Sequence, residues 1–235
     1  MTTPHPGPGG WVEAWLSAPR FAIYLTAGAG DRQRALDLYE WNTQISSALL
    51  HDLAHLEVGI RNAYDQALTQ HGQFAPHWTA NPHQVFAPVL RTKRVYDPSV
   101  GRRVPRRVDV NDKPRKALER AVAEAGGTNA PPGKVVAQLM FGFWRYLSSA
   151  AHEVALWRPY LHHAFAAGTS RPDVDVRMGD LHELRNRVAH HEPLLTWNLV
   201  EAQQQLTELA DLISPELAQH ITTSSKLTAL LAARP

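Results

Sequence analysis

Leu38, Trp41, Ile45, Leu49, Leu53, Leu56 and Ile60 recur every three or four positions. That is the period of one face of an α-helix, whereas a half-buried strand alternates every second residue. Asp31 follows the turn Gly28-Ala29-Gly30 and stands where an N-cap belongs. The pattern therefore predicts a helical stretch over about 31–70, as one helix or as two with a bend near Ser46-Ser47. A helix of this kind cannot leave its apolar face in water, so the rest of the chain must supply partners for it.

Helical period returns repeatedly. Residues 11–26 read as one or two short helices broken at Pro19. Over 134–157, Val135, Val136, Leu139, Met140, Phe143 and Leu147 form a buried side, and Gly142 among them points to close packing. A short helix over 160–166, ended by Gly168, precedes a helix that runs to His190. Asn198 and Glu201 have capping-box spacing for the next helix, which carries Leu199, Leu206, Leu209 and Ile213 up to Ser214-Pro215. Short helical stretches over 216–219 and 225–233 close the chain. No stretch reads convincingly as a strand, so the fold class is all-α.

Residues 71–132 differ from the rest. They hold eight of the 17 prolines, too many for regular helix. Ten Lys/Arg and three Asp lie between Arg91 and Lys116, against 24 basic and 22 acidic residues in the chain, so a segment of net +7 sits on a remainder of net −5. We expect an irregular, basic, Pro-rich insertion at about 76–132 with one helix inside it, Asp112–Ala125, whose first turn tolerates Pro114. Such a surplus suits a polyanionic partner, and a solvated charged insertion explains it equally well. Residues 1–10 read as a loose tail without the features of a signal peptide, and 11–235 as a single domain.

Composition removes several function classes. There is no cysteine, which excludes disulfides and thiolate metal sites and fits a cytoplasmic setting. No run of about 18 apolar residues suggests a membrane span. P-loop, G-x-G-x-x-G and G-x-S-x-G patterns are absent. His152-Glu153 lacks the second histidine of a zinc-protease motif, and His162-His163 alone is no ligand set, so neither metal nor cofactor is expected.

The candidate chemistry lies in residues 181–193 (LHELRNRVAHHEP). With Leu184 at zero on a helical wheel, Leu181 and Val188 fall at about 60° and 40° and make the apolar stripe. Asn186, His190 and Glu183 fall at about 200°, 240° and 260°, and Arg185 flanks them at about 100°. One face packs, while the other presents an amide, an imidazole and a carboxylate, with a guanidinium able to lean in. Pro193 disfavours helix at Glu192, which places His190 in the last turn.

Arg185-Asn186-x-x-x-His190 resembles the R-x4-H signature of the HEPN superfamily, many of whose members are metal-independent ribonucleases of toxin and anti-phage systems. Further blocks are similar to its Abi-like (abortive infection) branch: Tyr39-x-Trp41-Asn42, Leu56-Glu57-Val58-x-x-Arg61-Asn62, Phe141-Gly142-Phe143-Trp144, and the run from Arg185 through His190-His191-Glu192-Pro193. They occur in that order and span most of residues 20–235. The resemblance implies a HEPN-like helical bundle, a toxin or abortive-infection ribonuclease acting on RNA in the bacterial cytosol, a homodimer pairing two motifs across one cleft, and an antitoxin of protein or RNA as a further partner.

RNA is cut without metal when its own 2′-OH attacks the adjacent phosphorus. Histidine suits the proton transfers and arginine the charged phosphorane oxygens. The expected roles are His190 as general base or acid, Arg185 as phosphate and transition-state stabiliser, and Asn186 as positioner. Glu183 either orients His190 or is a surface carboxylate. His191, about 100° from His190, is expected to be structural or supporting. Glu57 and Arg61 have the spacing of a helix ion pair; the resemblance makes them, with Asn62, supports of the Arg185 helix. Arg91, Lys93, Arg94, Arg102, Arg103, Arg106 and Arg107 are the expected RNA-binding cations, helped by Trp or Tyr stacking. Two other readings stay open: a non-catalytic HEPN module that binds RNA or a protein, and a helical scaffold in which His190 only caps carbonyls and Arg185 makes a surface pair.

Overall fold

The computed structural model describes residues 8–235. It is predominantly helical, with one two-stranded antiparallel sheet. In chain order the elements are α1 (Trp11–Leu16), α2 (Ala18–Ala27), α3 (Arg32–His71), α4 (Pro82–Val85), β1 (Leu90–Asp97), β2 (Arg102–Asp109), α5 (Asp112–Ala125), α6 (Pro132–Gln138), α7 (Phe141–Leu147), α8 (Arg171–Ala189), α9 (Leu199–Ile213), α10 (Pro215–Ser224) and α11 (Leu227–Ala232). Among the described residues no helix is long and apolar enough to cross a membrane. The chain, read from sequence as a single domain over 11–235, divides into two compact units, 1–56 with 180–211 and 215–235, and 57–179 with 212–214.

In the first unit, Asp31 caps α3 as its position suggests: its Oδ1 accepts from the backbone N–H of Gln33 at 2.8 Å and of Arg34 at 3.1 Å. Helix α3 runs 40 residues without interruption, through Ser46-Ser47, and its residues up to Leu56 belong to this unit. Its stripe is buried, with Ile45, Leu49 and Leu56 all at 0% exposure. The α1/α2 break is at Ser17, in a positive-φ conformation, and not at Pro19, which sits in the first turn of α2, where its missing N–H costs nothing. Val12, Leu16, Phe21, Tyr24, Ala35 and Leu38 form one apolar cluster.

The Tyr39-x-Trp41-Asn42 block serves as a set of anchors in this unit. Tyr39 packs edge-on against Trp15 and Tyr24. Trp41 Nε1 donates to the Leu230 carbonyl at 2.7 Å, and buried Asn42 accepts the Leu194 N–H at 2.7 Å. Of the expected tail, residues 1–7 lie outside the described residues, while Pro8 and Gly9 give their carbonyls to Arg32 at 2.7 and 3.0 Å.

The second unit is built on aromatic residues. Trp78, Phe143 and Trp144 pack on one another, Trp144 Nε1 donates to the Leu139 carbonyl at 3.1 Å, and Trp78 Nε1 donates to Asp65 at 2.7 Å. The helix expected over 134–157 is broken by the extended residues Leu139 and Met140, which leaves Met140 exposed instead of buried.

The expectation of no strand is overturned here. The segment read as irregular forms a hairpin, β1 and β2, paired from Leu90↔Asp109 to Asp97↔Arg102. Both of its faces are largely exposed, so it lacks the apolar alternation by which a half-buried strand is recognised. Pro105 is tolerated because each strand of a two-stranded ribbon is an edge. Asp109 fastens the base: Arg115 beside it, through a charged hydrogen bond of 2.5 Å, holds that carboxyl at about 2, and Arg115 also donates to the Phe86 carbonyl at 2.8 Å.

Candidate functional site

The end of α8 lies in the first unit. Leu181, Leu184 and Val188 are at most 1% exposed, so the apolar stripe packs as the wheel predicts. Burying each such side chain is worth about 1.5–3 kcal/mol, enough to fix which face turns outward.

The helix stops for a reason that Pro193 only partly announces. The N–H of Glu192 bonds to the Arg187 carbonyl at 2.9 Å and that of His191 to the Val188 carbonyl at 3.1 Å. This is a Schellman closure, whose left-handed position is usually glycine. Here His191 occupies it, at φ 54°, at a cost of about 1–2 kcal/mol for an L-residue. Arg20 Nη2 donates to the His191 carbonyl at 2.7 Å and holds the turn. His190 keeps helical register, its N–H bonded to the Asn186 carbonyl at 3.0 Å.

The exposed face sorts the predicted residues. Arg185 is half-buried and His190 exposed. Among the described residues neither side chain makes a hydrogen bond or ion pair. Carbonyl capping by His190 and a surface pair for Arg185 are therefore not among the contacts the described residues make. Asn186 leans back one turn, its Nδ2 lying 3.4 Å from His182 Nε2. Glu183 does not orient His190: it is exposed and lies 3.9 Å from Arg187, which pairs more closely with Glu192 at 3.0 Å and sits over the Trp197 ring. His182 lies outside the R-x4-H pattern, yet His182, Asn186 and His190 share one i,i+4 stripe.

His191, expected to be structural or supporting, also faces a cleft. With Arg20 of α2, Tyr39, Asn42 and Ser46 of α3, and Val188 it lines a cleft of about 340 Å³. Ser46 is 5% exposed, and its Oγ has no hydrogen-bond partner among the described residues. These residues are scattered along the sequence, which is why no motif announces the cleft.

Glu57, Arg61 and Asn62 belong to the second unit. The Glu57–Arg61 ion pair does not form: Arg61 instead donates to the Ala137 carbonyl at 3.5 Å, and Asn62 is exposed. The hairpin, also in this unit, presents the predicted cations. The register puts Arg91, Lys93, Arg102 and Arg106 on one face and Arg94, Arg103 and Arg107 on the other, with exposed Tyr96 directly opposite Arg103. Arg106 is neutralised by Asp97 at 2.6 Å, while the other six have no ion pair among the described residues. Among the described residues no group of three or more His, Cys, Asp or Glu is placed to hold a metal ion. No family model, curated protein or solved structure matches the chain.

Proposed function

We propose that the protein is a metal-independent endoribonuclease of HEPN type, with Arg185 and His190 as its reacting side chains. The observation that carries this reading is that both, on the outward side of a fixed helix end, are uncommitted among the described residues. A guanidinium and an imidazole free of ion pairs are ready to take a phosphate and a proton. Five residues of helix rise about 7.5 Å and turn through about 140°, so in this reading the long Arg185 side chain leans in from the flank toward a phosphodiester held at His190.

In this mechanism the RNA 2′-OH loses its proton to an imidazole and attacks the adjacent phosphorus. Arg185 neutralises the non-bridging oxygens as charge gathers there. A second imidazole protonates the leaving 5′-oxygen, and the products carry 2′,3′-cyclic phosphate and 5′-hydroxyl ends. One helix end supplies one Arg185 and one His190, so acid and base together call for two copies, and a homodimer is part of the proposal. The hairpin cations hold the strand through its phosphates, with Tyr96 offering a ring for stacking. A toxin or abortive-infection role in the bacterial cytosol, held in check by an antitoxin of protein or RNA, completes the reading.

Incubating the full chain with labelled RNA in excess EDTA, beside Arg185→Ala and His190→Ala, tests it. Cleavage by the unaltered chain alone supports the assignment, and equal cleavage by all three removes it from this helix. The second reading, a non-catalytic RNA-binding module, draws on the unpaired hairpin cations. It predicts salt-sensitive RNA binding that survives both substitutions, with no cleavage.

A further inference from the structure

The cleft beneath the α8 end has a chemical character of its own. Arg20 and His191 line it, and no aspartate or glutamate does. Arg20 spends Nη2 on the His191 carbonyl, and its other N–H groups make no hydrogen bond among the described residues. Asn42 spends Oδ1 on Leu194, which leaves its Nδ2 donors over. Ser46 contributes a buried, unpartnered hydroxyl on the same lining. A buried hydroxyl without a partner in the protein works against the folded state, a cost that a polar group brought by a ligand would offset. Tyr39, Leu50 and Val188 give the cleft apolar surface. A cationic end, spare donors and an apolar wall together fit an anion that carries a flat ring.

We propose that this cleft is a nucleotide subsite, which takes one ribonucleotide unit of the RNA strand beside the bond that is cut. The phosphate lies toward Arg20 and His191, the base packs on Tyr39 and Leu50, and the Ser46 hydroxyl and Asn42 amide meet its polar edge. The assignment rests on the ribonuclease reading for its choice of strand RNA as the source of that nucleotide. It also gives a use to the left-handed turn at His191, which sets that residue at the cleft rim.

Calorimetric titration of the full chain tests this without cleavage. The probes are uridine 3′-monophosphate, inorganic phosphate, and a 2′-O-methyl RNA hexamer that lacks the attacking hydroxyl. The nucleotide should bind at least tenfold more tightly than phosphate, and the hexamer should displace it. Ser46→Ala should weaken the nucleotide about fivefold without lowering the melting temperature, because it removes an unsatisfied buried group. Leu50→Asp, which replaces the apolar wall at an exposed rim position with a charge like that of the nucleotide, should weaken it at least tenfold. No binding by the unaltered chain, or equal binding by it and both variants, overturns the subsite. Nucleotide binding that the hexamer does not displace overturns the strand-RNA assignment. RNA cleavage measured in parallel separates the two ideas: cleavage without nucleotide binding defeats the subsite alone, and binding without cleavage defeats the nuclease reading together with the placement beside a cut bond, leaving the cleft as a nucleotide-binding site.

Discussion

Replacing His191 isolates the energetics of the α8 end. An L-residue held in the left-handed region costs about 1–2 kcal/mol, and His191 sits there at φ 54°. Glycine relieves that cost but gives back about 0.4–1 kcal/mol through its freer unfolded chain. His191→Gly should therefore be more stable than His191→Ala by about 0.5–1 kcal/mol, since both remove the ring and only alanine keeps the Cβ. For a chain of this size that is a rise of about 1–4 °C in melting temperature, readable by far-UV circular dichroism. In an ordinary helix position the order is reversed, with alanine ahead of glycine by about 1 kcal/mol. Finding alanine at 191 equal to or better than glycine would refute the Schellman assignment and the account of how this helix ends.

Other consequences follow from single contacts. Asn42→Ala strands the buried Leu194 N–H, a loss of about 1–3 kcal/mol, and hydrogen exchange at Leu194 should accelerate at least tenfold. If the hairpin holds RNA, Arg103→Gln with Arg107→Gln should lower the slope of log affinity against log salt by about 1.4, at about 0.7 per phosphate contact on a single strand. Arg106→Gln should change it less, because Asp97 already neutralises Arg106. Burial pushes the His77 and His152 imidazoles below their ordinary value. The unfolded chain takes those protons near pH 6.5 and the folded chain only at lower pH. Their contribution is thus complete above about 6.5 and is lost as pH falls through the folded values. Thermal melts should show stability declining on going from about pH 7.5 to about pH 5.5, and His152→Gln should blunt the decline.

What the sequence discloses and what it hides divide along physical lines. The α3 stripe and α5 are legible because burial imposes a period of three to four, with Pro114 in the first turn and Gly126 just past the end marking the limits of α5. The outward face of α8 is legible for the same reason. The hairpin is not, because exposure on both faces leaves Val95 opposite Val104 as an isolated apolar hint. The Glu57–Arg61 spacing permits an ion pair without compelling one, and a carbonyl took the guanidinium instead. The turn at His191 has no signature, since left-handed positions are announced by glycine. The cleft joins Arg20, Ser46 and His191, which only the folded chain brings onto one lining.

The most direct test of the central claim is end-group analysis of labelled RNA treated with the full chain in excess EDTA. The account predicts 2′,3′-cyclic phosphate and 5′-hydroxyl ends, with cleavage lost on Arg185→Ala or His190→Ala while both variants remain folded. Products bearing 5′-phosphate, or cleavage undiminished in both variants, would contradict it.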